Sequence, residues 1–259
     1  MVLTGFSRSV VLVFMVSLAV VITAVNAVYA KSRSGSSHRE STSQTGTTSE
    51  WRFYVAPSVF GAGMTGNLTT GGNTFPINAS LDDLTENIQF GPFLTLSGKK
   101  GAWGFVADVG YLGSKGTGTA DEPIDVDLDN LIVEGDAAYS PADGLTLLLG
   151  LRMYKISQTV TLPSSPAEES STTVVDPIFG ARGEWDLNDA WLFRIRGDVG
   201  GLGISSEMTY QGSLLFGWRF SEAWDLHFGY RVFWYQIQKD SIQTNIRLSG
   251  LNIGVGYDF

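Results

Sequence analysis

The chain closes on Gly250-Leu251-Asn252-Ile253-Gly254-Val255-Gly256-Tyr257-Asp258-Phe259. Leu251, Ile253, Val255, Tyr257 and Phe259 alternate with Asn252, Gly254, Gly256 and Asp258. A period of two predicts a β-strand with one apolar face and one face of polar and glycine residues. Taken alone, such a strand also fits the edge of a soluble β-sheet. What precedes it decides between the two.

Upstream, segments of about ten residues with the same period recur back to Trp51, the length expected of a transmembrane strand. They centre on Arg52–Ala62, Asn87–Ser97, Ala102–Leu112, Val126–Tyr139 and Leu145–Ser157, and then on Thr173–Asp186, Ala190–Gly201, Met208–Phe220, Ala223–Gln236 and Gln243–Phe259. Val126–Tyr139 and Gln243–Phe259 are the least regular. Ile246 and Leu248 fall out of phase with Leu251, which predicts a bulge at Ser249-Gly250. Tight turns with Gly, Pro, Asn and Asp chemistry join alternate segments, at Ser97–Gly101, Ser140–Gly144, Asp186–Asp189 and Ser221-Glu222. The other connections include longer polar stretches, Thr65–Asp83, Gly113–Asp125 and Leu162–Ser171, and two short ones near Gly203–Glu207 and Lys239–Ser241. With Trp51 and Phe259 both inside, every tight turn falls on the periplasmic side and every longer loop outside, the layout of an outer-membrane barrel.

Alternation alone also fits a soluble barrel with its apolar face inward. Three features favour lipid. The apolar phase carries aromatics at strand ends, namely Trp51, Trp103, Tyr139, Trp185, Trp191, Phe220, Trp224, Tyr257 and Phe259, as an interfacial girdle does. The opposite phase carries Arg52, Asp108, Glu134, Asp136, Arg152 and Arg182, followed by Glu184, Arg194, Arg196, Asp198, Arg219 and Arg231. That phase holds both signs and little Lys, as a lumen of paired charges does. The predicted fold is therefore all-β, a single antiparallel up-and-down transmembrane β-barrel of about ten strands, with eight or twelve as the neighbouring alternatives.

The N-terminus fits this location. Arg8 is the only charge before Lys31, Val10–Val25 is almost unbroken apolar sequence, and Val28-Tyr29-Ala30 places small residues at a cleavage site. Residues 1–30 read as a cleaved signal peptide. Residues 31–50 hold Ser and Thr but no large apolar residue before Trp51, and read as a disordered linker. Residues 51–259 form the barrel. No later stretch is long and apolar enough for a spanning helix, so entry into a membrane requires a closed barrel.

Composition restricts the chemistry. The 259 residues include no Cys and two His, with 17 Lys and Arg against 26 Asp and Glu for a net charge of −9. Nucleic acid is excluded as a partner, because phosphate-backbone binding needs clustered cations in excess. No cofactor is indicated. His or Cys metal ligation is set aside. Asp121, Glu122, Asp125, Asp127 and Asp129 form an acidic cluster in the second outer loop whose spacing matches no Ca²⁺ loop. Arg196-Gly197-Asp198 spells an integrin-ligand tripeptide but lies mid-strand facing the lumen, where no receptor reaches it. His227, on the inward phase next to a periplasmic turn, reads as a hydrogen-bonding lumen residue, and no serine accompanies it at residue 229, which is Gly.

Several strings carry a family resemblance: Val175–Arg182, Arg196–Gly203, Gly229-Tyr230-Arg231, Leu248-Ser249-Gly250 and Gly254–Phe259. The chain resembles small Gram-negative outer-membrane β-barrels of the porin-like and opacity-like kind. In that class a closing strand of the form polar-x-Gly-x-x-aromatic-x-aromatic serves as the assembly signal, here Asn252, Gly254, Tyr257 and Phe259. The resemblance implies location in the bacterial outer membrane after export, contact with outer-membrane lipid and lipopolysaccharide, and handling by the barrel-assembly machinery. It implies a packed lumen network that includes Asp176 with Arg182, Arg194, Arg196, Asp198 and Arg231. It supplies no activity and no oligomeric state. The omptin proteases share the strand number, but their active site needs a His at the outer rim, where this chain has none.

Three functions remain open. One is a structural or surface-interaction barrel with a largely side-chain-filled lumen and no enzymatic role. Another is a narrow porin-like channel for small ions or solutes, lined by the arginine ladder and facing acids. The third is an outer-membrane enzyme with a loop-borne site.

Overall fold

In a computed structural model of the chain, the described residues are 50–70, 73–79, 89–119, 123–161, 168–239 and 242–259. The expected signal peptide and nearly all of the expected linker lie outside them. Eleven strands form: β1 (Arg52–Thr70), β2 (Asn73–Ala79), β3 (Gln89–Lys100), β4 (Trp103–Thr119), β5 (Pro123–Ala142), β6 (Leu145–Thr161), β7 (Glu168–Asp186), β8 (Trp191–Gly200), β9 (Met208–Arg219), β10 (Trp224–Lys239) and β11 (Ile242–Asp258). Every pairing is antiparallel, and β11 pairs with β1 to close the ring. β2 and β3 both lie on the same side of β1, β3 against Arg52–Ala62 and β2 against Met64–Thr70. They share one place in the wall, so the barrel has ten strand positions, as the periodicity predicts.

Exposure follows the alternation. On β6, Leu145, Leu147, Leu149 and Leu151 point outward, with Leu149 67% exposed, while Leu148 and Arg152 point inward and are buried. So much exposed leucine and aromatic surface on adjoining strands is tolerable only against lipid. Trp103 packs on Tyr139 and Trp224 on Tyr257, with ring centroids 4.7 and 4.6 Å apart, all at the periplasmic end. At the other end of β10, Trp234 stacks on Tyr210 at 5.2 Å. Trp224 and Trp234 share the outward face ten residues apart. At ~3.4 Å per residue and a tilt of ~40°, they stand ~26 Å apart along the membrane normal, close to the ~25 Å apolar band of such barrels.

Two expectations need correction. Ser249-Gly250 forms no bulge: β11 runs in unbroken register against both β1 and β10. Ile246 and Leu248 look out of phase because they point inward, fully buried, into an apolar layer inside the barrel. The longer outer loops are also strand wherever they are described. β4 and β5 stay paired up to Thr119 and Pro123, β6 and β7 up to Val160 and Glu168, and β1 and β2 up to Thr70 and Asn73. Backbone groups make the ladder hydrogen bonds, so polar hairpins continue after hydropathy alternation has ended. Asp125, Asp127 and Asp129 accordingly lie within β5 rather than in a loop; Asp121 and Glu122 lie outside the described residues.

The lumen is packed in tiers. In the outer half, Phe60, Phe93 and Phe233 meet ring to ring at 5.6–6.1 Å, joined by Ile132, Tyr154, Tyr235 and Leu248. Gly110 makes room for this layer, since a side chain there would overlap the Phe93 ring. A charged tier lies beneath, and below that a cavity reaches toward the periplasmic turns.

Candidate functional site

The charged tier is built from mid-strand residues of β4, β5, β6 and β8. Alternation brings Asp108, Glu134, Asp136, Arg152, Arg196 and Asp198 to the same interior, where each is at most 8% exposed. Arg152, with no exposed surface, donates through Nε to Glu134, and through Nη2 to Asp198 at 2.6 Å and Gln211 at 3.0 Å. Arg196 donates to Asp108 at 2.9 Å, to Asp136 at 3.1 Å, to Asp198 at 2.9 Å and to Glu134. Thr95 donates a further bond to Asp108. Two guanidiniums thus hold four carboxylates in a knot crossing the lumen. Buried charges persist only when paired in this way, because unpaired ones cost several kcal/mol.

A second group sits lower. Arg194 donates to Glu184 at 2.6 Å, to Asp225 at 3.1 Å and to the Tyr54 hydroxyl at 3.0 Å, and its guanidinium lies 4.8 Å from the Tyr54 ring centroid. His227 Nδ1 stands 3.4 Å from Asp225. Arg219 pairs with Asp186 at the periplasmic rim. Of the predicted network, Arg52 and Arg182 line the cavity and make no ion pair among the described residues. Arg231 stays inside without an ion pair, its guanidinium 5.2 Å from the Phe93 ring and 5.8 Å from that of Phe233.

Asp176 does not join the network. It faces Arg152 in the β6–β7 register but accepts bonds from the Ser206 amide at 2.9 Å and the Ser206 hydroxyl at 2.5 Å. It therefore anchors the β8–β9 connection, where Gly201, Leu202 and Gly203 all have positive φ. Asp225, Tyr54, Thr95 and Gln211 belong to the polar interior but were not predicted from sequence. Their inward parity was the available signal, and Tyr54, Thr95 and Gln211 lacked the charge that marked the others.

The C-terminal residues take definite places. Asn252 points inward, buried, and accepts a 3.3 Å bond from Ser58 across the closing seam. Gly254 is required by crowding: a Cβ there would lie 2.5 Å from His227 Nε2 and from the Pro57 carbonyl oxygen. Phe259 stacks on Phe53 at 5.6 Å and on Tyr257 at 5.8 Å, and its backbone exchanges two 2.9 Å bonds with Phe53.

The cavity encloses about 300 Å³. The charged tier forms its ceiling through Asp108, Arg196 and Arg231, and exposed Arg52, Lys99 and Asp258 mark its periplasmic mouth. Among the described residues no group of three or more His, Cys, Asp and Glu is disposed to hold a metal ion.

No protein-family model matches the chain, and no curated protein matches it. Solved structures do. The outer-membrane protease OmpT of Escherichia coli superposes with a TM-score of 0.51 at 8% identity, over 85% of this chain and all of that one. Ail, the attachment invasion locus protein of Yersinia pestis, gives 0.42 at 10% identity over 81% and 99% of the two chains. Neisserial surface protein A gives 0.37 at 15% identity over 80% and 97%. At these identities the likeness is one of fold, that of bacterial outer-membrane β-barrels.

Proposed function

We infer that this outer-membrane β-barrel is closed to solute flow and acts at the cell surface through the parts of its wall that rise above the membrane. The observation that carries this reading is the apolar layer of the outer half. Phe60, Phe93, Ile132, Tyr154, Phe233, Tyr235 and Leu248 are each at most 4% exposed, so little space is left among them for a hydrated ion. The arginine ladder supports the same conclusion. A conducting eyelet needs opposed charges separated across water, whereas Arg152 and Arg196 are in direct contact with their acids.

The wall supports the surface role. A tilted strand gains ~2.6 Å of height per residue, so about ten residues cross the ~25 Å apolar band. β5 has 20 residues, β4 and β6 have 17 each, and β7 has 19. Their hairpins therefore stand roughly 20 Å clear of the membrane as continuous β-sheet, a rigid platform for contacts with lipopolysaccharide or another surface.

Planar-bilayer recording of the refolded barrel tests the reading. The wild-type protein is expected to be electrically silent, and a Phe60→Ala/Phe93→Ala/Phe233→Ala variant to conduct. Discrete wild-type conductance steps whose selectivity changes on neutralising Arg194 or Arg196 would establish the channel instead.

A further inference from the structure

We propose that the periplasmic cavity is a binding site for a small, doubly charged oxyanion of the phosphate class. Arg194, Arg196 and Arg219 are committed to carboxylates. Arg52, Lys99, Arg182 and Arg231 also line the space, and none has an ion-pair partner among the described residues; Asp258 is the one lining acid in that condition. Four uncommitted cations against one uncommitted acid, in a chain of net charge −9, is a local reversal of sign.

Burial sharpens the point. Arg231 is 7% exposed, and its Nε and Nη1 have no hydrogen-bond partner. Leaving guanidinium donors unpaired inside a protein is costly, and such donors mark either structural compromise or a missing acceptor. The carboxylates around Arg152 and Arg196 outnumber them by two, and this surplus offsets Arg182 and Arg231 through space. It supplies neither with a bond. A tetrahedral dianion in the cavity would bond the Arg182 guanidinium, whose fork matches its oxygens, and would balance the buried Arg231 charge from beside it. The hydroxyl of Ser213 lines the same space as a further donor.

Size and access fit. At ~30 Å³ per water-sized group, 300 Å³ holds about ten non-hydrogen atoms, enough for phosphate or a three-carbon phosphomonoester. Arg52 and Lys99 at the mouth would draw an anion from the periplasm. The linker upstream is a poor occupant on charge, since Lys31, Arg33 and Arg39 outnumber Glu40 and Glu50. The site does not depend on whether the outer half conducts, so this inference and the closed-barrel reading fail independently.

The test is isothermal titration of the refolded full barrel in detergent with inorganic phosphate and, separately, glycerol 3-phosphate, at fixed ionic strength in chloride. Saturable binding of either is expected, weakened at least tenfold by Arg182→Gln and severalfold by Arg52→Ala/Lys99→Ala, with the tighter ligand identifying the source. Arg231→Met, which keeps the stacking on Phe93, should weaken binding as well. The mouth variants alter exposed side chains and should fold, so misfolding of the deeper ones leaves the proposal testable. Absence of binding by both probes, or affinities unchanged in the variants, would overturn it.

Discussion

Replacing Arg196 with methionine should destabilise the barrel far more than replacing any one acid around it. Arg196 is the contact shared by Asp108, Glu134, Asp136 and Asp198. Without it Arg152 alone faces Glu134 and Asp198, while Asp108 and Asp136 lose the one ion-pair partner they have among the described residues. Breaking a buried pair by removing one member costs about 3–5 kcal/mol, roughly a 10²- to 5 × 10³-fold change in the unfolding equilibrium. The converse change behaves oppositely. Two arginines serve four carboxylates, so Asp136→Asn removes surplus negative charge, and Asp136 Oδ1 has no hydrogen-bond partner to lose. That variant should lie within about 1 kcal/mol of wild type or be more stable, because neutralising an excess buried charge relieves desolvation and repulsion. Adding Asp136→Asn to Arg196→Met should then recover more than about 1 kcal/mol, the coupling expected of groups in one network. Urea unfolding in lipid vesicles, followed by tryptophan fluorescence with refolding checked for reversibility, measures all three. If Arg196→Met costs less than about 1 kcal/mol, or the double variant is no better than the single one, the charged tier is not organised around Arg196.

Phe233→Ala, which opens a hole between Phe60 and Phe93, should cost about 3–5 kcal/mol in the same assay. Gly110→Ala should displace the Phe93 ring and destabilise by about 1–3 kcal/mol, seen as a lower urea midpoint with unchanged slope. Trp103, 64% exposed on the outer wall, should be quenched strongly in vesicles of lipids brominated near the headgroup; no quenching would place that wall in water. Deleting Phe259 removes the stacking on Phe53 and two seam hydrogen bonds, and should lower the amount of heat-modifiable, folded barrel recovered from outer membranes severalfold.

The wall was legible in the sequence because lipid imposes one rule on every outward residue between the girdles. Leu145 to Leu151 on β6, or Leu214 to Trp218 on β9, repeat that rule plainly. The interior follows no such rule. Where inward residues are charged, as at Asp108 or Arg194, they stand out against the outward phase. Where they are apolar, as at Leu128, Ile132, Ile246 and Leu248, both phases look alike. That is why β5 and β11 read as irregular and why the inward pair Ile246 and Leu248 mimics a bulge. The partners of each charge were hidden for a different reason. Arg196 meets Asp108 across the lumen from 88 residues away, a distance set by barrel closure and not by any local spacing.

The unequal height of the wall gives the molecule a front and a back. β8 has 10 residues and β9 has 12, barely enough to cross the bilayer, whereas β5, three places round the ring from β8, has 20. Over the short arc, exposed Leu202 and Ile204 lie on a turn held down by Asp176 and Ser206, level with the lipid surface. Over the tall arc the sheet stands upright like a screen. Anything approaching from directly above meets both, but a neighbour drifting in the plane of the membrane meets a low sill from one side and a wall from the other. Rotation about the membrane normal therefore governs what this barrel can touch.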